Sequence, residues 1–259
     1  MPRVGDMKDE PGTCERPAAV YFFGTCVIDL FFPEAGMAGI QLLEREGVRV
    51  VYPQAQTCCA QPAFNCGYHD EARAVARAQI ALFPKDIPVV VPSGSCAAMM
   101  RHHYPDLFAG QPDEEAVREF AGRVHELTQF LVHVLGVSLV DRGEPVRVTW
   151  HSSCHGLREM GLVDEPRALL SQLRNVTLAP LARESECCGF GGTFSVRYPE
   201  ISAAMAGDKA ADVKASGAST VLSADAACLL NIGGVLGREG GPVTARHLAD
   251  FLWERTHER

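Results

Sequence analysis

Cysteine is the residue type that could do chemistry in this chain, and its spacing is unusual. The sequence has 10 cysteines in 259 residues, and two pairs of them are adjacent, Cys58-Cys59 and Cys187-Cys188. Random placement would produce roughly a third of one adjacent pair. Thiolates bind zinc and iron–sulfur clusters well, so metal binding is the first interpretation of this pattern.

The cysteines form the same pattern twice. Each half of the chain carries a single cysteine, then a doublet, then another single cysteine. The spacers are 31 and 36 residues in the first half and 32 and 39 in the second, and equivalent cysteines are offset by 128, 129 and 132 residues. Three similar offsets indicate an internal duplication.

Four thiolates in each half suit either zinc or an iron–sulfur cluster. The sequence contains no Cys-X-X-Cys, the close spacing typical of structural zinc sites, thioredoxin-like dithiols and ferredoxins. A folded domain must therefore gather distant ligands around each doublet. A multi-iron cluster accepts two consecutive ligands more easily than one tetrahedral ion does, so the spacing favours iron–sulfur and leaves zinc open.

A short apolar run precedes each cysteine position, which is typical of buried strands. The runs are residues 18–23, 48–52, 87–91, 146–150, 176–181 and 220–222. Helical periodicity follows several of them, as in residues 70–83 and 201–215. This rhythm predicts an α/β fold with two pseudo-twofold-related lobes, each a small, mostly parallel sheet flanked by helices. Ligands bind beyond the carboxyl ends of such strands, where the cysteine loops fall.

The two halves are joined by a predicted helix that begins at residues 112–115. Its apolar stripe runs from Val117 to Leu135, and we interpret the stripe as packing in the core or between the halves. A polar turn at residues 141–145 marks the boundary. The predicted organisation is a disordered leader at 1–16, a first repeat with the linking helix at 17–142, and a second repeat at 143–259.

Composition excludes several classes of protein. A formal net charge of −8 argues against the basic surface that nucleic-acid binding needs. The longest apolar run, residues 18–32, is interrupted by Asp29 and is shorter than the about 20 residues that span a bilayer. The charged first residues do not form a signal peptide. The chain is therefore predicted to be cytoplasmic, where thiols stay reduced.

Several local strings resemble the cysteine-rich, or CCG, domain family. They are QPA at residues 61–63, PSGSC at 92–96, HSSCH at 151–155, CCGFGGTFS at 187–195 and CLLNIGG at 228–234. That family includes the B subunit of heterodisulfide reductase and the glycolate oxidase iron–sulfur subunit. Two tandem copies without a ferredoxin domain, over roughly residues 17–253, are similar to the members of the family that serve lactate utilization.

The resemblance implies two [4Fe-4S] clusters, one in each lobe. The implied ligands are Cys26, Cys58, Cys59 and Cys96 for the first cluster and Cys154, Cys187, Cys188 and Cys228 for the second. It also implies an electron-transfer subunit of a cytosolic complex that oxidises L-lactate to pyruvate, with two partner proteins, one of which carries ferredoxin-type clusters. Two alternatives remain: a thiol–disulfide or quinone reductase acting at its own cluster, and a zinc-stabilised scaffold.

The sequence departs from the family pattern where a fifth cysteine would close each half, because Met99 and Asn231 stand there. The noncubane cluster held by five cysteines in heterodisulfide reductase therefore does not carry over directly. Cys66 could supply a fifth thiolate in the first half, although an ordinary small buried residue is the simpler interpretation. Cys14 lies in the polar leader and is not expected to bind metal.

A few residues are predicted to contact a cluster without binding iron. His155 is close enough to Cys154 to donate a hydrogen bond to a cluster sulfur, and such hydrogen bonds tune the reduction potential of the cluster. His151 is a weaker candidate for the same role. Gly189, Gly191 and Gly192 permit positive φ and close backbone approach, and their N–H groups could donate to an anionic cluster. The sequence assigns no catalytic residue.

Overall fold

The structure is a computed structural model that describes residues 16–258. The predicted leader therefore lies outside the described residues except for Arg16, and so does Cys14. The described chain forms two four-stranded sheets with helices packed against them. The predicted two-lobed α/β fold is confirmed.

The first sheet consists of β1 (Ala19–Phe22), β2 (Arg49–Val51), β3 (Val89–Val91) and β4 (Val124–Glu126). Its strand order is β2-β1-β3-β4, and every pair is parallel. All residues of β1 and β3 are buried, as expected for central strands covered on both faces. Their valines and aromatic residues suit such a strand.

The second sheet repeats the first. It consists of β5 (Val146–Trp150), β6 (Val176–Ala179), β7 (Thr220–Ser223) and β8 (Thr244–His247), in the order β6-β5-β7-β8 and again entirely parallel. The duplication seen in the cysteine spacing thus extends to strand order and direction.

Helices connect the strands and cover the sheets. Two π-helical segments, Met99–His103 and Phe130–Val134, follow α5 and α8. The helices are α1 (Cys26–Phe31), α2 (Pro33–Arg45), α3 (Gln61–Asn65), α4 (His69–Ile80), α5 (Gly94–Ala98), α6 (Tyr104–Leu107), α7 (Glu114–Gly122), α8 (Leu127–Gln129), α9 (Cys154–Arg158), α10 (Glu165–Ser171), α11 (Thr193–Arg197), α12 (Pro199–Ala215), α13 (Ala226–Arg238) and α14 (Leu248–Thr256). Within residues 16–258, none of these helices is long and apolar enough to cross a membrane.

The predicted single linking helix is wrong. Residues 114–134 form α7, then strand β4, then α8 with its π-helical segment. β4 pairs in parallel with β3, with Val124 opposite Val89. The stripe residues are buried as predicted, because Val124 and Leu127 face the core whether the local backbone is strand or helix. A strand of three residues is too short for its alternation to be distinguished from a helical stripe.

One of the hydrophobic core clusters spans both repeats. A single cluster of buried side chains includes Phe22 from the first sheet and Trp150 from the second. The last helix, α14, packs against α2 of the first lobe. On α14, the buried Arg255 forms a bidentate ion pair with Asp141, with Nε–Oδ1 and Nη2–Oδ2 distances of 2.9 Å. The two repeats therefore occupy separate parts of the sequence, but their side chains pack against each other.

Candidate metal centre

Each single cysteine lies in the first turn of a helix that follows a strand. Cys26 and Cys154 are the first residues of α1 and α9. Cys96 and Cys228 are the third residues of α5 and α13. A polar side chain before each cysteine caps the helix: Thr25, Ser93, Ser153 and Asp225. The free N–H groups of a first turn favour negative charge, so these positions suit thiolates.

The two doublets lie in loops after β2 and β6, and both loops turn in the same way. Ala60 follows the first doublet with φ 68°, and Gly189 follows the second with φ 82°. This left-handed conformation costs an alanine roughly 1–2 kcal/mol. The first lobe nevertheless keeps it, which indicates that the direction of the turn after the doublet matters in both lobes.

In the first lobe, the structure brings the four predicted ligands together. The sulfurs of Cys59 and Cys96 lie 3.3 Å apart. The thiols of Cys26 and Cys58, and those of Cys58 and Cys59, also interact, because each thiol perturbs the pKa of its neighbour. The four sulfurs thus form a continuous group, although the residues span 71 positions of the chain.

The second lobe has the same arrangement. The thiols of Cys154 and Cys187, of Cys187 and Cys188, and of Cys188 and Cys228 interact, because each perturbs the pKa of its neighbour. Both groups of four line one cavity of about 200 Å³ between the lobes. The sites predicted for separate lobes therefore open onto one shared space.

The crowded thiols have perturbed acidities. Interaction with the Cys58 thiol, together with burial, raises the pKa of Cys26. In the second lobe, the interaction between the Cys154 and Cys187 thiols raises the pKa of Cys154 and lowers the pKa of Cys187. Four adjacent thiolates repel one another, so they cannot all ionise unless a cation lies among them. Metal binding would displace these protons.

The two lobes touch directly beside the cavity. A Cβ on Gly94 of α5 would lie 2.9 Å from Cα of Gly156 in α9, so only glycine fits there without a shift. Asp225 also spans the lobes, because its Oδ2 accepts the backbone N–H of Ser95 at 2.9 Å while its Oδ1 caps α13. These contacts fix the cysteine-bearing helices of one lobe against those of the other.

The glycines after the second doublet adopt the predicted positive φ, with values of 82°, 53° and 62° at Gly189, Gly191 and Gly192. Gly189 donates its N–H to the sulfur of Cys187 at 3.4 Å. A Cβ on Gly189 would meet Ser202 O at 2.8 Å, so packing against α12 also requires glycine. Gly191 and Gly192 line the cavity.

His155 lines the cavity and is engaged by a carboxylate. Its Nδ1 lies 2.8 Å from Glu159, and the other oxygen of Glu159 lies 3.0 Å from Nε2 of His103 in the first lobe. Only one ring nitrogen of His155 is committed to Glu159. The predicted contact with a bound group would therefore use the other nitrogen.

His151 is a stronger candidate for contact with a bound group than the sequence indicated. It is fully buried, and neither ring nitrogen has a hydrogen-bond partner within residues 16–258. An unpaired buried polar group costs about 1–3 kcal/mol. A ring nitrogen of His151 and the sulfurs of Cys188 and Cys228 lie within 4.8 Å of one another. Burial, with the nearby Lys209 cation, lowers the pKa of His151 to about 3.

The remaining candidates lie at the edge of the site. Met99 is buried in the core, and Asn231 donates through Nδ2 to the carbonyl oxygen of Cys188 at 2.8 Å. Cys66 contacts Thr193 of the other lobe, with Sγ 2.8 Å from Oγ1, and it is not among the residues that line the cavity. This placement favours neither Met99 nor Cys66 as a ligand.

The donor set fits a sulfur-ligated metal group. Each lobe offers four thiols close together, a capped helix start favours the ionised form of two of them, and an orphaned imidazole lies beside the second group. The His103, His155 and Glu159 side chains form a smaller cluster of possible ligands outside these two groups.

Comparisons with known proteins agree with this geometry. The CCG family, described as "Cysteine-rich domain", matches residues 20–101 and 148–233. The chain is 45% identical over 234 residues to "Lactate utilization protein A" of Geobacillus kaustophilus (strain HTA426), covering 90% of this chain and 98% of that protein. It is 44% identical over 238 residues to the protein of the same name from Exiguobacterium sp. (strain ATCC BAA-1283 / AT1b), covering 91% and 97%.

A solved structure shares the fold. The crystal structure of a hypothetical protein from Helicobacter pylori superposes with a TM-score of 0.66 at 9% identity, and the match covers 95% of this chain and 50% of that one. At this identity the likeness concerns the fold alone. With both halves matched by the same family and relatives matched over nearly their whole length, the chain belongs to the CCG cysteine-rich domain family, of which it carries two copies.

Proposed function

We propose that this chain binds two iron–sulfur clusters, one in each lobe, and works as an electron-transfer subunit in the oxidation of L-lactate to pyruvate. The observation that carries the proposal is the convergence of all eight doublet and single cysteines on one cavity. The name of its relatives, "Lactate utilization protein A", supports the metabolic role.

In this proposal the four cysteines of each lobe hold one cluster, which we take to be of [4Fe-4S] type. When bound, such clusters accept and release single electrons. The chain's own contribution is to hold the eight sulfurs in place at capped helix starts and in the doublet loops, to donate backbone hydrogen bonds such as that of Gly189, and to limit water through half-buried neighbours such as Phe190. The shared cavity brings the two sites close to each other.

The proposal includes partners and a location. Two further lactate-utilization proteins would complete the complex, and one of them would carry ferredoxin-type clusters. The cytoplasm suits nine free thiols within residues 16–258. In this arrangement the chain transfers electrons, and lactate binds elsewhere in the complex.

Metal analysis of anaerobically purified protein tests the cofactor. We expect about eight irons per chain, from two four-iron clusters. Cys59→Ser and Cys188→Ser should each remove about half of that iron, since each change removes a ligand of one cluster. Cys66→Ser is the matched control and should keep the full iron content, because Cys66 lies outside the cavity wall. Zinc in place of iron, or full iron in both ligand variants, would contradict the proposal.

The role in lactate oxidation needs a separate measurement. The chain should be purified together with its two partner proteins, and L-lactate added without oxygen. Bleaching of the visible iron–sulfur absorption in the complex is expected, and the Cys188→Ser complex should bleach less. Bleaching of equal extent in a complex without this chain would refute the electron-transfer role.

One observation favours a second candidate, a reductase that acts on a disulfide or quinone at the cavity. His155, held by Glu159, lies on the cavity wall and could supply protons to such a substrate. Anaerobic assay of the isolated, reduced chain with disulfide and quinone acceptors distinguishes the two functions. Turnover that falls in His155→Gln would favour the reductase.

A further inference from the structure

His151 is the one fully buried histidine beside the ligand set for which the chain supplies no partner within residues 16–258. Its ring lies near the sulfurs of Cys188 and Cys228, which line the cavity, whereas His151 is not part of the cavity wall. The imidazole is therefore on the protein side of these two sulfurs. A neutral imidazole has one N–H donor, and a metal-bound thiolate is an acceptor for it.

The equivalent position in the first lobe is apolar. The backbone N–H of His151 donates to Leu222 O at 2.8 Å, and that of Phe23 donates to Val90 O at 2.9 Å. Phe23 precedes Cys26 by the same three residues as His151 precedes Cys154. Both side chains are fully buried. The two lobes thus place different chemistry at the same point behind their sulfurs.

A second difference between the lobes also makes the surroundings of the second group of sulfurs more favourable to negative charge. Lys209 of α12 is buried, its Nζ donates to the carbonyl oxygen of Arg183, and its charge acts on Cys188. Its counterpart in the first lobe is Gln79 of α4, because the buried residues Ala72, Ala76 and Gln79 of α4 and the buried residues Ser202, Ala206 and Lys209 of α12 are each 130 residues apart. The second site therefore has a buried cation where the first has a buried neutral amide.

We propose that a ring N–H of His151 donates a hydrogen bond to the sulfur of Cys188 or Cys228 in the cluster-bound protein, and that this contact, with the Lys209 cation, holds the second cluster at a higher reduction potential than the first. The inference rests on the proposed function, because it requires iron at both groups of cysteines. A reduced cluster carries one more negative charge, and hydrogen bonds and cations stabilise that charge. Electrons within the chain then favour the second lobe.

The test is a redox titration of the anaerobic holoprotein, followed by electron paramagnetic resonance. We expect two potentials. His151→Phe, which copies the first lobe, should lower the higher potential and leave the lower one unchanged. A tenfold change in the electron-sharing equilibrium between the clusters corresponds to about 59 mV for one electron, and a shift of this order is expected. Phe23→Leu is the matched control and should move neither potential.

Two further variants distinguish loss of the hydrogen bond or the charge from a purely structural effect of His151→Phe. His151→Gln keeps an N–H donor and should retain more of the higher potential than His151→Phe. Lys209→Met should lower the same potential by removing the charge. A weak nitrogen coupling in pulsed resonance spectra of the second cluster should disappear in His151→Phe and persist in Phe23→Leu.

Several results would overturn the inference. Unchanged potentials in His151→Phe at full iron content would refute it and leave the proposed function standing. A strong nitrogen coupling, as from a direct iron–nitrogen bond, would replace the hydrogen bond by ligation. Wild-type protein without iron would refute the proposed function itself.

Discussion

The approach of Gly94 to Gly156 is predicted to determine how closely the lobes pack beside the cavity. A Cβ on Gly94 would lie 2.9 Å from Cα of Gly156 and 3.2 Å from Oγ of Ser153. Gly94 shares α5 with Cys96, and Gly156 shares α9 with Cys154. Movement of either helix to relieve this clash therefore displaces a cysteine sulfur of one lobe relative to those of the other.

The size of the effect follows from these distances. Carbon atoms in contact are about 3.5–4.0 Å apart, so Gly94→Ala must separate the two helices by roughly 0.6 Å or more. Overpacking of this kind costs about 1–3 kcal/mol. Replacing a helical glycine by alanine stabilises by about 0.5–1 kcal/mol, and the φ of Gly94 permits alanine. We expect a net loss of about 1–2 kcal/mol, or roughly 2–8 °C in Tm.

Thermal unfolding and iron analysis measure the two consequences. Gly207→Ala is the matched control, because it also lies in a helix and a Cβ there would meet nothing within 4 Å. It should gain about 0.5–1 kcal/mol and keep its iron. Gly94→Ala should melt earlier and bind less iron. If Gly94→Ala behaves like Gly207→Ala in both measurements, the lobes do not depend on this contact.

Two further predictions concern stability. Arg255→Met leaves the buried carboxylate of Asp141 without its ion pair and should lower the free energy of unfolding in urea by about 3–5 kcal/mol. Arg118→Met, which breaks an exposed pair with Glu114, should lower it by about 1 kcal/mol or less. Equal losses in the two variants would refute the role of burial. Burial raises the pKa of Glu126 from 4.5 to about 7. Between these pH values the folded state holds a proton that the unfolded state releases. The free energy of unfolding should therefore fall by about 3 kcal/mol as pH rises from 4.5 to 7. Glu126→Gln should remove this decline, and an unchanged pH profile in the variant would contradict the assignment.

The duplicated fold and the grouping of the cysteines could be predicted from the sequence, because both depend on local patterns. Runs of β-branched residues such as residues 87–91 identify buried strands wherever they occur. A cysteine directly after such a run must lie at the carboxyl edge of a parallel sheet. The positive φ of Gly189 was likewise predictable, since glycine adopts it without strain.

Two of the four edge strands, β4 and β8, could not be found in this way. β4 is hidden within a stripe of helical spacing, and β8 has the sequence TARH, which shows no apolar run. Both strands form because a neighbouring strand offers backbone hydrogen bonds in parallel register, with Thr220 opposite Thr244 in the second sheet. Pairing of this kind depends on long-range neighbours more than on the residues of the strand itself.

The amino-acid sequence by itself therefore determined the repeat, the parallel sheets and the candidate ligands, since the apolar periodicity of each element and the recurring cysteine spacing are properties of the linear chain. Only the tertiary structure decided that both groups of sulfurs open onto one cavity, that Gly94 meets Gly156, and that His151 rather than His155 is left without a partner. Those facts depend on how two lobes pack against each other and on which groups burial leaves unpaired. Neither property is encoded in any short stretch of the chain.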